Sequence, residues 1–178
     1  MTLIELLTTM TILAFVLSGI VVMFVSGLHS EVGMNERFQS QQSARLAISS
    51  LRTEVSSACS VSVAAGGTSA TLVLPNSDPS QACSTGTSQD TWCADSTSGT
   101  APFGLYRQVG STCSASTGVR RADSLTTNAV FSAPCPAGTT IHPQLGVTFP
   151  VDANLATSTG SYTLTDTLTA RNAPVVSC

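Results

Sequence analysis

The first 28 residues, 1–28, constrain this chain more than any other stretch because they are apolar almost throughout. Glu5 is the only charged side chain in this run, and the run contains no proline. At ~1.5 Å rise per residue, a helix of this length crosses the ~30 Å hydrocarbon core of a bilayer. A helix that is apolar on every side must be buried in lipid or inside an assembly. The sequence therefore predicts an N-terminal helix that does not face water.

Glu5 is the one residue that does not fit this environment. A carboxylate within a membrane segment costs roughly 3 kcal/mol unless it finds a partner or reaches the interface. In the first turn of a helix it gains some stabilisation from the helix dipole. The nearest positive charge in the sequence is the chain's own amino terminus. Two interpretations follow: Glu5 sits at the membrane surface without a role, or it pairs with an amino group.

A cleaved secretory signal would be a different explanation of the apolar run. Such a signal begins with basic residues and has a shorter apolar core. No lysine or arginine precedes Arg37, and the helical pattern continues beyond the run. These features favour a helix that stays part of the protein.

The residues Thr2-Leu3-Ile4-Glu5-Leu6, followed by about twenty apolar residues, resemble the mature N-terminus of type IV pilins and pseudopilins. The resemblance covers roughly the first fifty residues and implies that a prepilin peptidase removes a short leader. It implies that Met1 is the resulting N-terminal residue, that it is N-methylated, and that Glu5 pairs with the N-terminus of a neighbouring subunit during assembly. Many pilins have a proline where this chain has Val22, so a helix break there is not expected from the sequence.

After residue 28 the chain turns polar, but apolar residues recur at spacings of three and four, which predicts that the same helix continues to residue 58. Glu36, Arg45, Arg52 and Glu54 lie off this predicted face, which would pack on a β-sheet. The segment 44–52 also resembles the helix of some minor pilins and pseudopilins, though less closely. The face comprises Met34, Phe38, Gln41, Ala44, Ile48, Leu51, Val55 and Ala58.

The remainder, 59–178, is rich in Ser, Thr, Gly and Pro and predicts one β-rich head. The stretch Pro75–Gly99 is expected to be a long polar loop, with Trp92 either exposed for binding or packed on a disulfide. The sequence thus predicts an α+β fold with three segments: the apolar helix 1–28, its amphipathic continuation 29–58, and an antiparallel β-sheet head. Strands are expected at 61–63, 71–74, 103–109, 145–149 and 162–171, with 118–121 as a pairing partner for 103–109 and 130–131 as a short apolar piece before a corner.

Six cysteines, all in the head segment, indicate an oxidising compartment and three disulfides. No two of them are close enough for a zinc knuckle. The sequence does not determine the pairing, but local loops would join Cys83 to Cys93 and Cys113 to Cys135. Cys59 and Cys178 would then connect the end of the helix to the end of the chain.

Composition argues against several functions. The head has six aspartates against four arginines, so no basic surface for a specific nucleic acid is expected. No catalytic motif, phosphate loop or calcium loop occurs, and His29 and His142 are far apart and expected at the surface. We therefore expect no enzyme activity, no cofactor and no metal.

Taken together, these features predict a structural subunit of an extracellular type IV pilus-like filament at the cell surface. The subunits would wait in the membrane as single-pass proteins until the assembly machinery packs their helices into a homo-oligomer. Two alternatives stay open: a minor pilin or type II secretion pseudopilin, and a membrane-anchored adhesin-like head that never polymerises.

Overall fold

A computed structural model of the chain describes residues 2–75, 83, 87–135, 137–152 and 161–177, with the backbone alone for His29. The chain divides into two compact units, Met1–Glu36 and Arg37–Cys178, and one helix contributes to both. That helix, α1, runs from Leu3 to Ser57. The predicted α+β fold, with a long N-terminal helix and an antiparallel sheet on its second half, is confirmed.

Within the described residues ten strands follow the helix, and eight of them form one antiparallel sheet in the order β1-β2-β3-β4-β5-β8-β6, with β9 on the other edge of β8. Strands β7 and β10 form a separate pair. The bounds are β1 Ser60–Val63, β2 Ser69–Leu74, β3 Ser88–Asp95, β4 Phe103–Val109, β5 Val119–Leu125, β6 Phe131–Ser132, β7 Thr140–Ile141, β8 Gln144–Val151, β9 Tyr162–Thr169 and β10 Val176–Ser177.

The core of the Arg37–Cys178 unit lies between α1 and the sheet. Ala44, Ile48, Leu51 and Val55 are buried at helical spacing, as the sequence predicted. They pack with large side chains of the sheet, each worth about 1.5–3 kcal/mol on full burial. The largest of these are Trp92, Phe149, Leu72, Leu105, Leu125 and Leu145.

The predicted helix face is shorter in the structure than in the sequence pattern. Met34 and Phe38 are 61% and 66% exposed, and Gln41 is half-buried. The buried face therefore begins at Ser40, which is 6% exposed, and its apolar part begins at Ala44. Conversely, Glu54 was predicted to lie off the face, and this was wrong: its side chain is only 18% exposed.

The prediction that Pro75–Gly99 is a loop was wrong for its second part, because β3 occupies Ser88–Asp95. This strand lies between β2 and β4, so it is covered on both edges. Trp92 is fully buried on it and is not a loop residue. A strand buried on both faces lacks the alternation of apolar and polar residues that marks a half-exposed strand.

The predicted disulfide pairing was also wrong. Cys59 pairs with Cys83, and Cys93 pairs with Cys113. The Cys59 N–H donates to the Val73 carbonyl, so the end of β2 lies beside the end of α1 and brings the following segment to Cys59. Strand pairing likewise brings Cys113 to Cys93: Cys93 lies opposite Tyr106 in β4, and the Cys113 sulfur lies 3.7 Å from the Tyr106 carbonyl oxygen. Cys135 is disulfide-bonded too, and Cys178 lies outside the described residues.

Candidate functional site

The apolar half of α1 presents its side chains outward on every side within its own unit. From Leu3 to Leu28, the large apolar side chains are between 45% and 82% exposed. In the part of the chain that the structure describes, α1 is the one helix whose length and composition suit a membrane span. A continuous apolar surface of this extent marks a membrane or protein contact.

Glu5 is engaged by the start of its own helix. The Thr2 backbone N–H donates to Glu5 Oε2 at 3.0 Å, and the Glu5 N–H donates to the Thr2 carbonyl at 3.0 Å. The first of these contacts is one half of a capping box, in which the side chain at the third helical position accepts a hydrogen bond from the backbone N–H of the N-cap residue, here Thr2. In the single chain, the Glu5 carboxylate thus stabilises the helix N-terminus. Met1, the other predicted assembly residue, lies outside the described residues.

Hydroxyl groups on this part of α1 are also satisfied within the helix. Thr8, Thr9, Thr11 and Ser18 each donate to the carbonyl three residues earlier, at distances of 2.8–3.0 Å. Such bonds hide a polar hydrogen from an apolar environment. Glu5 is then the one side chain in this stretch that carries a charge into whatever surrounds the helix.

A second polar cluster joins α1 to the sheet inside the Arg37–Cys178 unit. The Trp92 indole N–H donates to Glu54 Oε2 at 2.7 Å, and Arg107 Nε lies 2.8 Å from Glu54 Oε1. The N–H of that Nε does not point at Oε1, so this contact is an ion pair rather than a directed hydrogen bond. Arg107 also donates to Asp90, which is 3% exposed. Sequence reasoning missed this cluster, since its members come from α1, β3 and β4.

The described residues contain no group of three or more His, Cys, Asp or Glu side chains that is placed to hold a metal ion. His142 is exposed, and its Nδ1 lies 2.9 Å from the Ala173 carbonyl oxygen in the C-terminal segment. The side chain of His29 is outside the description. The apolar surface with Glu5 is therefore the strongest candidate for a functional site.

No family model matches this chain, and neither the search of curated proteins nor the search of solved structures found a match. Its function must be inferred from its own residues.

Proposed function

We propose that this chain is a structural subunit of an extracellular type IV pilus-like filament, assembled from a membrane pool by packing of the apolar helices of many copies. The observation that carries the proposal is a helix exposed and apolar from Leu3 to Leu28, with one charge, Glu5, in its first turn. The resemblance of residues 2–6 to the pilin N-terminus supports it. The disulfide-bonded β head would then lie on the outside of the filament.

In this proposal Glu5 exchanges partners on assembly. Within one chain it accepts a hydrogen bond from the Thr2 N–H. In the filament it pairs with the amino terminus of a neighbouring copy, where Met1 is the processed and N-methylated residue. A carboxylate buried among apolar helices requires such a partner, and removing one member of a buried pair costs about 3–5 kcal/mol.

The test must separate this pairing from the capping role. Glutamine satisfies a capping box as glutamate does, but it carries no charge. We therefore expect both Glu5→Gln and Glu5→Ala to lose most filaments, and we expect Glu5→Gln alone to keep the capped helix start. Glu31→Gln is the matched control, because Glu31 is an exposed acid on the same helix and has no ion pair in the described structure. Filament yield is read by electron microscopy of sheared surface material.

Normal filaments from Glu5→Ala would remove the role of Glu5 altogether. If Glu5→Gln forms normal filaments and Glu5→Ala loses them, the role of Glu5 is to cap the helix and not to pair with an amino group. Absence of this polypeptide from purified fibres would refute the filament proposal.

The second candidate is a membrane-anchored head that does not polymerise. The exposed apolar helix supports this candidate as well as the filament subunit, because a single membrane span requires only one apolar helix of sufficient length. Mass spectrometry of the native N-terminus separates the two candidates. A methylated Met1 supports the filament subunit, and an unprocessed terminus supports the anchor. Subunit stoichiometry in purified fibres then distinguishes a bulk subunit from a minor pilin or secretion pseudopilin.

A further inference from the structure

Strand β9 lies at an edge of the large sheet, and among the described residues it has a partner on one side only. All eight of its residues pair with β8. The Ala170 N–H, just beyond β9, donates to the Pro143 carbonyl, so even-numbered residues direct their backbone groups toward β8. Because neighbouring residues alternate, Thr163, Thr165, Thr167 and Thr169 direct theirs away from β8. Among the described residues, no strand pairs with this edge, which presents a row of outward backbone donors and acceptors.

One of these outward groups is already occupied. The Thr167 N–H donates to Asp166 Oδ1 at 2.9 Å, and Asp166 Oδ2 accepts from Arg52 Nη2 of α1 at 2.6 Å. A carboxylate of β9 itself thus lies against this edge, held between a backbone N–H and an arginine. The strand has no proline and no lysine, the residues that commonly block an exposed edge.

A cleft follows the open side of β9. Two adjoining hollows of about 270 and 290 Å³ lie between α1 and β9, and they share Arg52 and Asp166. No residue of β8 lines either hollow, so the cleft is on the side of β9 that faces away from β8. Ile48 and Leu164 provide an apolar part of its wall.

The charge of this cleft is opposite to that of the chain. The chain as a whole has a net charge of −3 and only seven basic residues. Three of these seven line the cleft: Arg45, Arg52 and Arg171. Asp166 is the one acid among the lining residues, and Arg52 already holds it. Arg45 instead lies near Tyr162, 5.9 Å from its ring centroid. Neither Arg45 nor Arg171 has an ion pair within the described residues.

We propose that this cleft binds an extended acidic segment of a partner protein, which adds to β9 as a further strand and places its carboxylates beside Arg45 and Arg171. Backbone hydrogen bonds to the outward groups of β9 hold the segment, as in other cases of strand addition. Side chains alternate along a strand, so every second residue of the segment faces the arginines. This proposal does not depend on filament formation.

The test uses the full chain in detergent micelles and a fluorescent eight-residue peptide of alternating Thr and Asp, with binding read by anisotropy. A peptide with Lys in place of Asp is the probe of opposite charge and is expected not to bind. Arg45→Glu and Arg171→Glu are each expected to weaken the acidic peptide about tenfold. Arg121→Glu, an exposed arginine on β5 without an ion pair in the described structure, is the control and should bind as the parent does. The emission spectrum of Trp92 verifies that each variant is folded.

A second peptide of equal charge, with Pro in place of two Thr residues, tests strand addition itself. Proline cannot donate to a strand ladder, so the affinity is expected to fall about tenfold or more. Equal affinity for both acidic peptides would overturn strand addition and leave only charge attraction. No binding of the Thr-Asp peptide at millimolar concentration would overturn the proposal entirely. If the parent chain self-associates and Arg171→Glu abolishes that self-association, the cleft binds a second copy of this chain instead of a separate partner.

Discussion

Glu54 connects α1 to two strands, and its truncation is the most informative perturbation of the head. In Glu54→Ala the Trp92 indole N–H loses its acceptor, and Arg107 loses one of its two carboxylates. Trp92 is fully buried in the parent chain, and Glu54 Oε2 is the acceptor that the structure gives its indole N–H. The variant therefore removes the partner of a buried donor.

The expected loss can be worked out from these contacts. A buried donor without a partner costs about 1–3 kcal/mol. Arg107 is 23% exposed and stays paired with Asp90, so losing its ion pair with Glu54 costs only about 1 kcal/mol of stability. Together these give about 3 kcal/mol, or a fall in Tm of about 10 °C for a domain of this size. Glu54→Gln keeps an acceptor for the indole but loses the charge and places its amide NH2 beside Arg107, so the ion pair is lost and we expect about 1 kcal/mol.

The assay is thermal unfolding of the full chain in detergent, with disulfides intact. Trp92 is the only tryptophan, so its fluorescence reports on the contact that the variant changes. Because that contact is itself altered, far-UV circular dichroism gives an independent Tm. Thr53→Ala is the control, since Thr53 is exposed and bonds only to its own helix, and it should stay within about 0.5 kcal/mol. A Tm for Glu54→Ala equal to that of the control would refute the reasoning, and equal losses for Ala and Gln would refute the importance of the acceptor.

Three other outcomes are expected. Gly67→Ala should cost about 2 kcal/mol or more, because a Cβ there would lie 2.4 Å from a backbone oxygen of β6. Gly66→Ala, also at positive φ but in open space, should cost only about 1 kcal/mol, and a urea titration of both variants measures the difference. Removing the Cys93–Cys113 disulfide with a double alanine variant should cost about 3 kcal/mol for its 20-residue separation, and non-reducing peptide mapping of the parent should recover this pair. A chain without 1–28 should unfold at nearly the parent temperature and need no detergent, since no described core residue lies in that segment; a loss of several degrees would contradict this.

The sequence predicted the helix well because its signals are local. Apolar residues at spacings of three and four predict a buried face wherever a partner surface exists, as at Ala44, Ile48 and Leu51. Met34 and Phe38 follow the same spacing but are exposed, because periodicity does not show where the partner surface ends.

Strand β3 and the disulfides could not be predicted in the same way. In β3, Asp90 and Thr91 are nearly as buried as Trp92, since Arg107 pairs with Asp90 and the Thr91 hydroxyl donates to the Gly110 carbonyl. Buried polar residues made this strand resemble a loop. Cysteine pairing depends on which strands are neighbours, and nothing in the spacing of Cys59, Cys83, Cys93 and Cys113 specifies that. The cluster around Glu54 was missed for the same reason.

The apolar half of α1 cannot be left in water, because the free energy of exposing its side chains is too large. Burying one large aliphatic side chain is worth about 1.5–3 kcal/mol, and the helix exposes such residues continuously from Leu3 to Leu28. Their sum exceeds the 5–15 kcal/mol or so that keeps a typical domain folded.

Yet lipid tails are as apolar as leucine, so the burial of apolar surface hardly distinguishes a helix in lipid from one packed among identical helices. The balance between the two must come from close packing and from polar groups. Glu5 is the one charged group on that surface, and it is costly in lipid without a partner. An amino group supplied by a neighbouring copy would remove that cost only in the assembled state, which is why the Glu5→Gln variant separates a membrane anchor from a filament subunit.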